Sequence, residues 1–480
     1  MTAYKFIRAN LGTWAVTEMA ALFGVSPCAY YRWAKHGTSS RRLDEDARLL
    51  ELIRGIADKR RDGYDKLYEY ADAIKGAYGI FFFQHPSMLE YQERLKSGKG
   101  RSNAESILRV SKIPCGNQIT RLLDAMDDKA FAPVFDRGLE TAQRHKGLDQ
   151  YLVLGGRHRL VALDWVWFYQ SKKIGRPHCL RQKLKDGVTL YYHDMVAAAL
   201  VKPGHQTVPP LFPEFVRNED GLEKQDCERN AAKRWLESNA ERYEWLNPVF
   251  LGDDLYSNYP VCGTIAGKGM HFIFTCKEDS HPWLYGSIDE GNMRGMTVRK
   301  WTGREHLEYR YRWHNGVEIR EGKPTLAANL LSLEIWNGGK GKATYRNSWV
   351  TNLEVNERDV REMAECARAR WKIENEHNNV LKHHGYHLEH NFGHGRECAC
   401  EIYALLNLLS HFRCTGYCCC WTKGIKRPGA TSVAATSFSQ ACGLFSAGSC
   451  LGHGRNLSAF SPKRMSLVGK CKIADDRDRD

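Results

Sequence analysis

Three carboxylates stand out in this chain of 480 residues: Asp164, Asp253 and Glu374. Each Asp closes a four-residue apolar run, Leu160-Val-Ala-Leu163 or Val249-Phe-Leu-Gly252, of the kind that buried sheet strands carry. Glu374 falls on an apolar stripe at helical spacing, formed by Val360, Met363, Ala364, Ala367, Trp371, Asn378 and Leu381. A carboxylate on a buried face is costly unless it is paired, protonated or bound to a metal, and Arg370, one turn earlier, offers a partner. Oxygen ligands of this type suit hard cations such as Mg²⁺ or Mn²⁺. Converging in one site, the three could hold two ions about 3.5–4 Å apart, which clamps the attacking and leaving oxygens of a phosphodiester. The positive ions would also let the carboxylates stay ionised side by side.

The elements that must position them follow from pattern. Asn356, with Asp359 three residues on, makes an N-cap for a helix that no Gly or Pro interrupts until Gly385. Between the two Asp residues, Tyr192–Val201 reads as a helical stretch, followed by a Pro-rich turn and a second helix over Gln225–Leu236. Such alternation argues for a mixed α/β core. Residues 262–352 switch to strands: His271–Cys276, Tyr309–Trp313 turning at Asn315-Gly316 into Val317–Arg320, Leu330–Trp336 and Tyr345–Val350. They read as a β-rich insertion between Asp253 and the helix of Glu374. Near the start, residues 17–33 read as a helix-turn-helix around Gly24-Val-Ser26, with Tyr30 and Arg32 on the helix that would enter a major groove. A charged amphipathic helix over 43–60 and another helical stretch over 104–128 complete the N-terminal part.

Composition narrows the partner. The net charge of +14, with a pI near 9.0, points to a polyanion, and for a soluble chain to nucleic acid. The first residues lack a long apolar run with a cleavage site, and Ala404–Leu409 is too short to span a bilayer, so neither export nor a membrane is expected. Nine of the sixteen cysteines are scattered singly between residues 28 and 400, which suits free thiols in the cytoplasm. His387, His390, His394 and Cys398 have spacings a zinc site could use, but without a Cys-x-x-Cys pair they read as residues ordering a turn. Gly155-Gly-Arg157 and Gly338-Gly-Lys-Gly-Lys342 do not fit a phosphate-binding loop.

Over roughly residues 64–410 the sequence resembles the DDE transposases of bacterial insertion sequences, in the branch with a Tyr-Arg-Glu-Lys signature. The resemblance is carried by Leu163-Asp164, Lys224-Gln-Asp-Cys-Glu228, Leu251-Gly-Asp-Asp-Leu-Tyr-Ser257, Arg370-Trp-Lys-Ile-Glu374 with Lys382, and Tyr386-His-Leu-Glu-His-Asn-Phe-Gly-His-Gly395. It implies a ribonuclease H-like core and cut-and-paste DNA chemistry with two Mg²⁺ or Mn²⁺ ions. It implies Asp164, Asp253 and Glu374 as catalytic metal ligands, Arg370 and Lys382 as phosphate-holding residues, and a homodimer on double-stranded DNA. Ala367 stands in place of the signature tyrosine, and Lys382 lies eight positions after Glu374 where the signature has seven, about 100° around a regular helix. Trp165 occupies a position where a small residue is usual, and Asp254 and Glu376 are alternatives to Asp253 and Glu374.

The chain then divides into a helix-turn-helix segment (1–62), a helical DNA-binding or dimerisation region (63–150), the first part of the core (151–261), the β-rich insertion (262–352), the Glu374 helix (353–411) and a Cys/Ser/Gly-rich tail (412–480). Residues 4–62 resemble the start of a different transposase group with an integrase-like catalytic domain, which suggests a fusion. Between Ile402 and Ala474 there is not one Asp or Glu, where 56 in 480 would place about eight. That reads as translation out of frame after about His411, or else as a basic nucleic-acid-binding tail. The alternative to an active enzyme is a non-catalytic DNA-binding remnant. If the tail is out of frame, a single-base shift in the gene past codon 411 restores a transposase-like continuation, and its absence in every frame refutes the idea.

Overall fold

The computed structural model describes residues 7–22, 27, 30, 31, 34, 70–96, 108, 110, 113–176, 179–217, 228–302, 305–323, 325–338 and 341–424. Its ten strands are β1 (Arg159–Ser171), β2 (Leu180–Lys183), β3 (Thr189–Val201), β4 (Glu214–Phe215), β5 (Pro248–Gly252), β6 (His271–Thr275), β7 (Arg294–Thr302), β8 (Glu305–Glu318), β9 (Ala327–Asn337) and β10 (Lys342–Thr351). They form one sheet in the order β2-β3-β1-β5-β6-β10-β9-β8-β7, with β4 paired to β3. Strands β1, β5 and β6 run parallel at the centre, and every other pairing is antiparallel. Strand β5 is apolar and fully buried, β6 is buried after the half-buried His271, and β1 is buried over Arg159–Leu163, where it pairs with β5, as strands covered on both faces must be.

The helices are α1 (Val16–Leu22), α2 (Tyr70–Phe82), α3 (Met88–Lys96), α4 (Gly116–Asp124), α5 (Ala132–Arg144), α6 (Glu228–Asn239), α7 (Tyr259–Gly267), α8 (Pro282–Gly286), α9 (Val360–Arg368), α10 (Asn379–His383) and α11 (Ala399–Gly424). Helix α6 packs Trp235, wholly buried, under the sheet, and its indole N–H donates to the Phe212 carbonyl at 2.7 Å. The first turns of α11 are buried among α2, α4 and α5: Tyr403 meets Phe81 edge-on and the Thr120 hydroxyl at 3.0 Å, and Phe412 stacks on Phe135. The carboxylate of Asp124, at the end of α4, accepts the backbone N–H groups of Arg396, Glu397 and Ala399 at 2.8–3.1 Å, which caps the start of α11. No helix among the described residues is long and apolar enough to cross a membrane.

Four sequence expectations are corrected. Tyr192–Val201 is not helical but part of the long strand β3, second from the sheet edge, and pairs along its length with β1. A strand buried on both faces is apolar throughout, so its sequence carries no period to separate it from a buried helix. Strand β1 does not end at Asp164 but continues through Trp165–Ser171, where aromatic and β-branched residues favour extension. Asn315-Gly316 makes no hairpin. Strand β8 passes straight through it with a bulge in its pairing to β9, Gly316 taking φ +83° and the Asn315 side chain bonding both the N–H and C=O of Val355. The reversal of direction comes after Glu318.

The fourth correction concerns the helix of Glu374. Asn356 accepts the N–H of Arg358 and Asp359 at its start, as expected of a capping residue. The helix is then broken into α9, a π-helical turn over Ile373–Asn378 and α10. The break shifts the buried stripe to Ile373, His377, Asn378 and Leu381, and Trp371, expected inside, is 54% exposed. The charged helix expected over 43–60, the residues Gly24–Ser26 and the tail beyond 424 lie outside the described residues.

Replacing Asp124 with Ala removes three charge-assisted hydrogen bonds from the start of α11. We expect a loss of about 2–3 kcal/mol in chemical denaturation, with an unchanged denaturant dependence.

Candidate active site

Strand register explains why two distant Asp residues meet. In the parallel pair, Arg159 lies opposite Pro248 and Ala162 opposite Leu251. Carrying the same offset two residues further brings Asp164 level with Asp253, close enough for the Asp253 charge to act on it. Asp253 directly follows β5 and caps the short turn Asp254–Tyr256 by accepting the Leu255 N–H at 2.9 Å. Asp164 emerges from β1 where that parallel partner has ended.

The π-turn supplies the rest. One guanidinium nitrogen of Arg370 lies 2.6 Å from Glu374 Oε1 and 3.6 Å from Asp164 Oδ1, so it holds both carboxylates against itself. The Arg370–Glu374 pair expected from the spacing of four is present, and Asp164 joins it. The other oxygen of Asp164 accepts the side-chain N–H of Asn378 at 2.7 Å. Asn378 Oδ1 in turn lies 2.9 Å from His377 Nδ1, which must therefore carry the proton and donate. His377 is wholly buried, edge-on to the buried His411, and burial pushes its pKa down to about 4, so it stays neutral.

A fourth carboxylate, Glu228 in the first turn of α6, joins the group. It lies in the segment that carries the family resemblance, but nothing in its spacing to the other three marked it as part of a site. Its pKa is pushed up to about 7, by burial first and then by Asp253, with Arg370 opposing. Burial and then the Glu374 charge raise Asp164 to about 7, against Arg370, with Glu228 and Asp253 adding to the rise. Asp253 is also raised, chiefly by burial. Four acids thus share one central guanidinium, an arrangement short of positive charge. The donor set is all carboxylate oxygen and suits a hard divalent cation.

The two alternative acids face elsewhere. Asp254 accepts the Lys277 N–H at 2.6 Å and lies 3.5 Å from His281 Nε2, and Glu376 lies 3.6 Å from Lys372. Trp165 does not crowd the group. Neighbouring residues of a strand point to opposite faces, and Trp165 sits with Trp167 on the other side, 38% exposed. Lys382 pairs with Glu389 at 2.7 Å. Its extra residue of separation from Glu374 coincides with the π-turn, whose wider i→i+5 winding takes up one additional residue in a helix. Tyr30, on the helix expected at DNA, is 2% exposed in a small core with Ile7, Met19 and Ala20, the core contact that a helix-turn-helix asks of that position, so its ring is not offered to DNA. Arg32 lies outside the described residues.

Residues 224–406 match the family model described as Transposase DDE domain. The matched stretch contains Glu228, Asp253, Arg370, Glu374 and Lys382 and starts after Asp164. It supports a DDE transposase. No curated protein matches the chain.

The raised acids set a pH dependence. A carboxylate whose pKa is higher folded than unfolded contributes stability at low pH and loses it as pH rises through the folded value. For Asp164 that window runs from about pH 4 to about pH 7. Without divalent cations, Asp164→Asn should therefore gain stability relative to the unsubstituted chain as pH rises from 4 to 7. A constant difference in unfolding free energy across that range would contradict the electrostatics described here.

Proposed function

We propose that this protein is a DNA transposase that cleaves and joins strands at the ends of its own insertion sequence. Asp164, Asp253 and Glu374 are the catalytic carboxylates, and they would hold Mg²⁺ or Mn²⁺, with two ions the number suited to in-line displacement. When bound, the cations supply charge neutralisation at the phosphate and a more acidic attacking water or hydroxyl. The observation that carries the reading is the single guanidinium of Arg370 bridging Glu374 and Asp164, with Asp253 next in register.

The chain's own groups then have defined tasks. Asn378, oriented by His377, holds Asp164 in one rotamer, so the first ligand is fixed before substrate arrives. Arg370 keeps mutually repelling acids together in the free protein and can exchange a carboxylate for a DNA phosphate, to which its planar fork is equally suited. Lys382 follows eight residues after Glu374, where it can meet the backbone of the same strand. In the first step a water oxygen attacks the phosphorus and the 3′-oxygen leaves with a proton. In the second the freed 3′-hydroxyl attacks a target phosphate and displaces its 3′-oxygen. The net charge of +14 favours the polyanionic substrate, and cutting two ends calls for two copies of the chain on DNA.

The test uses a supercoiled plasmid carrying the DNA that flanks the gene, where inverted repeats mark the ends. Cleavage with Mn²⁺ should fall by roughly 10³-fold in Asp253→Ala, the equivalent of about 4 kcal/mol of transition-state stabilisation. Specific binding of the ends without any cleavage by the unsubstituted chain would instead identify a DNA-binding remnant.

A further inference from the structure

A second cluster of ligand atoms lies away from the four acids. Cys179 Sγ, His193 Nε2 and His394 Nε2 form a triangle with sides of 3.4, 3.3 and 3.0 Å. All three residues are buried, at 0%, 2% and 8% exposure. They come from the residue before β2, from β3, and from the loop between α10 and α11, and no two are closer than 14 positions in sequence.

We propose that Cys179, His193 and His394 bind a zinc ion that fastens this loop to the edge of the sheet. A thiolate and two imidazoles are the ligand set that selects zinc over Mg²⁺ or Ca²⁺. With bonds of about 2.3 Å to sulfur and 2.0 Å to nitrogen at tetrahedral angles, the ligand atoms would stand about 3.3–3.6 Å apart. The observed triangle needs to open by only a few tenths of an ångström. Three protein ligands leave one tetrahedral position for water.

The surroundings fit ligation. His394 Nδ1 lies 3.1 Å from the Gly395 carbonyl, so it carries the proton and leaves the Nε2 lone pair directed at the other two ligands. Burial lowers the pKa of His394, which keeps the ring neutral, as a ligand must be. Burial raises the Cys179 thiol, and the Arg176 N–H, which donates to Sγ at 3.3 Å, opposes that rise, as a cation bound to the sulfur would more strongly. The loop is shaped to deliver His394. It is flanked by Gly393 and Gly395, at φ +152° and +71°, where a Cβ would meet Thr120 at 2.5 Å in the first case and the Asp124 carboxylate in the second. The sequence spacing of His387, His390, His394 and Cys398 suggested a site within the loop. Only His394 of these four takes part, because its partners come from the sheet.

The proposal is independent of DNA cleavage, and so is its test. The full chain, purified and equilibrated with zinc, is compared for bound metal with Cys179→Ser, His193→Gln, His394→Gln and the control His390→Gln. The unsubstituted chain and the control should hold one equivalent more than each of the other three, whatever the tail cysteines or the carboxylates bind. Equal metal content in all five overturns the proposal. Should the three variants fail to fold, the unsubstituted chain decides: one equivalent of zinc raises its unfolding midpoint and a chelator reverses the rise, and no rise refutes the site.

Discussion

Gathering carboxylates in a half-buried place costs electrostatic free energy, and the centre of this fold is arranged around how that cost is met. Arg370 touches Glu374 and Asp164 with one nitrogen, Asn378 takes the remaining Asp164 oxygen, and Asp253 is tied to the turn it caps. Burial, and then the neighbouring carboxylates that a single guanidinium does not balance, raise Asp164 and Glu228 to about 7. The imbalance is structural as well as functional. Removing one member leaves the others either overcharged or unpartnered, so each acid constrains its neighbours.

The parallel register of β1 and β5 and the π-turn are the two devices that assemble the group. The first converts a long sequence separation into adjacency. The second is the π-turn over Ile373–Asn378, the segment that carries Glu374, His377 and Asn378 to Asp164 or its support. A π-turn is costly in backbone hydrogen bonding and persists only where the surroundings enforce it. Here the enforcing contacts are the buried His377 against His411 and the ion pair at Arg370.

Much of this was legible in the sequence. The apolar run before Asp253, the i, i+4 pair of Arg370 and Glu374 and the core face of the helix from Val360 to Ala367 follow from local rules and are present. What local rules missed is non-local. Strand β3 looks helical because burial on both faces erases its period. Asn315-Gly316 is a bulge because Asn315 is engaged by Val355, forty residues away. Trp371 turns outward because the helix ends at Arg368 and winds on through i→i−3 bonds at Arg370, Lys372 and Ile373, which shifts the phase before the π-turn begins. Glu228, His377 and Asn378 enter the site through tertiary placement, and His394 finds its partners on the sheet rather than in its own loop.

Manganese binding to the full chain without DNA, followed by electron paramagnetic resonance of the free ion, shows whether the carboxylate group is the divalent-cation site proposed above. We expect the unsubstituted chain to take up Mn²⁺, Mg²⁺ to displace it, and Asp164→Asn and Asp253→Asn each to lose this uptake while remaining folded. Undiminished, Mg²⁺-competed binding in both variants would contradict that proposal.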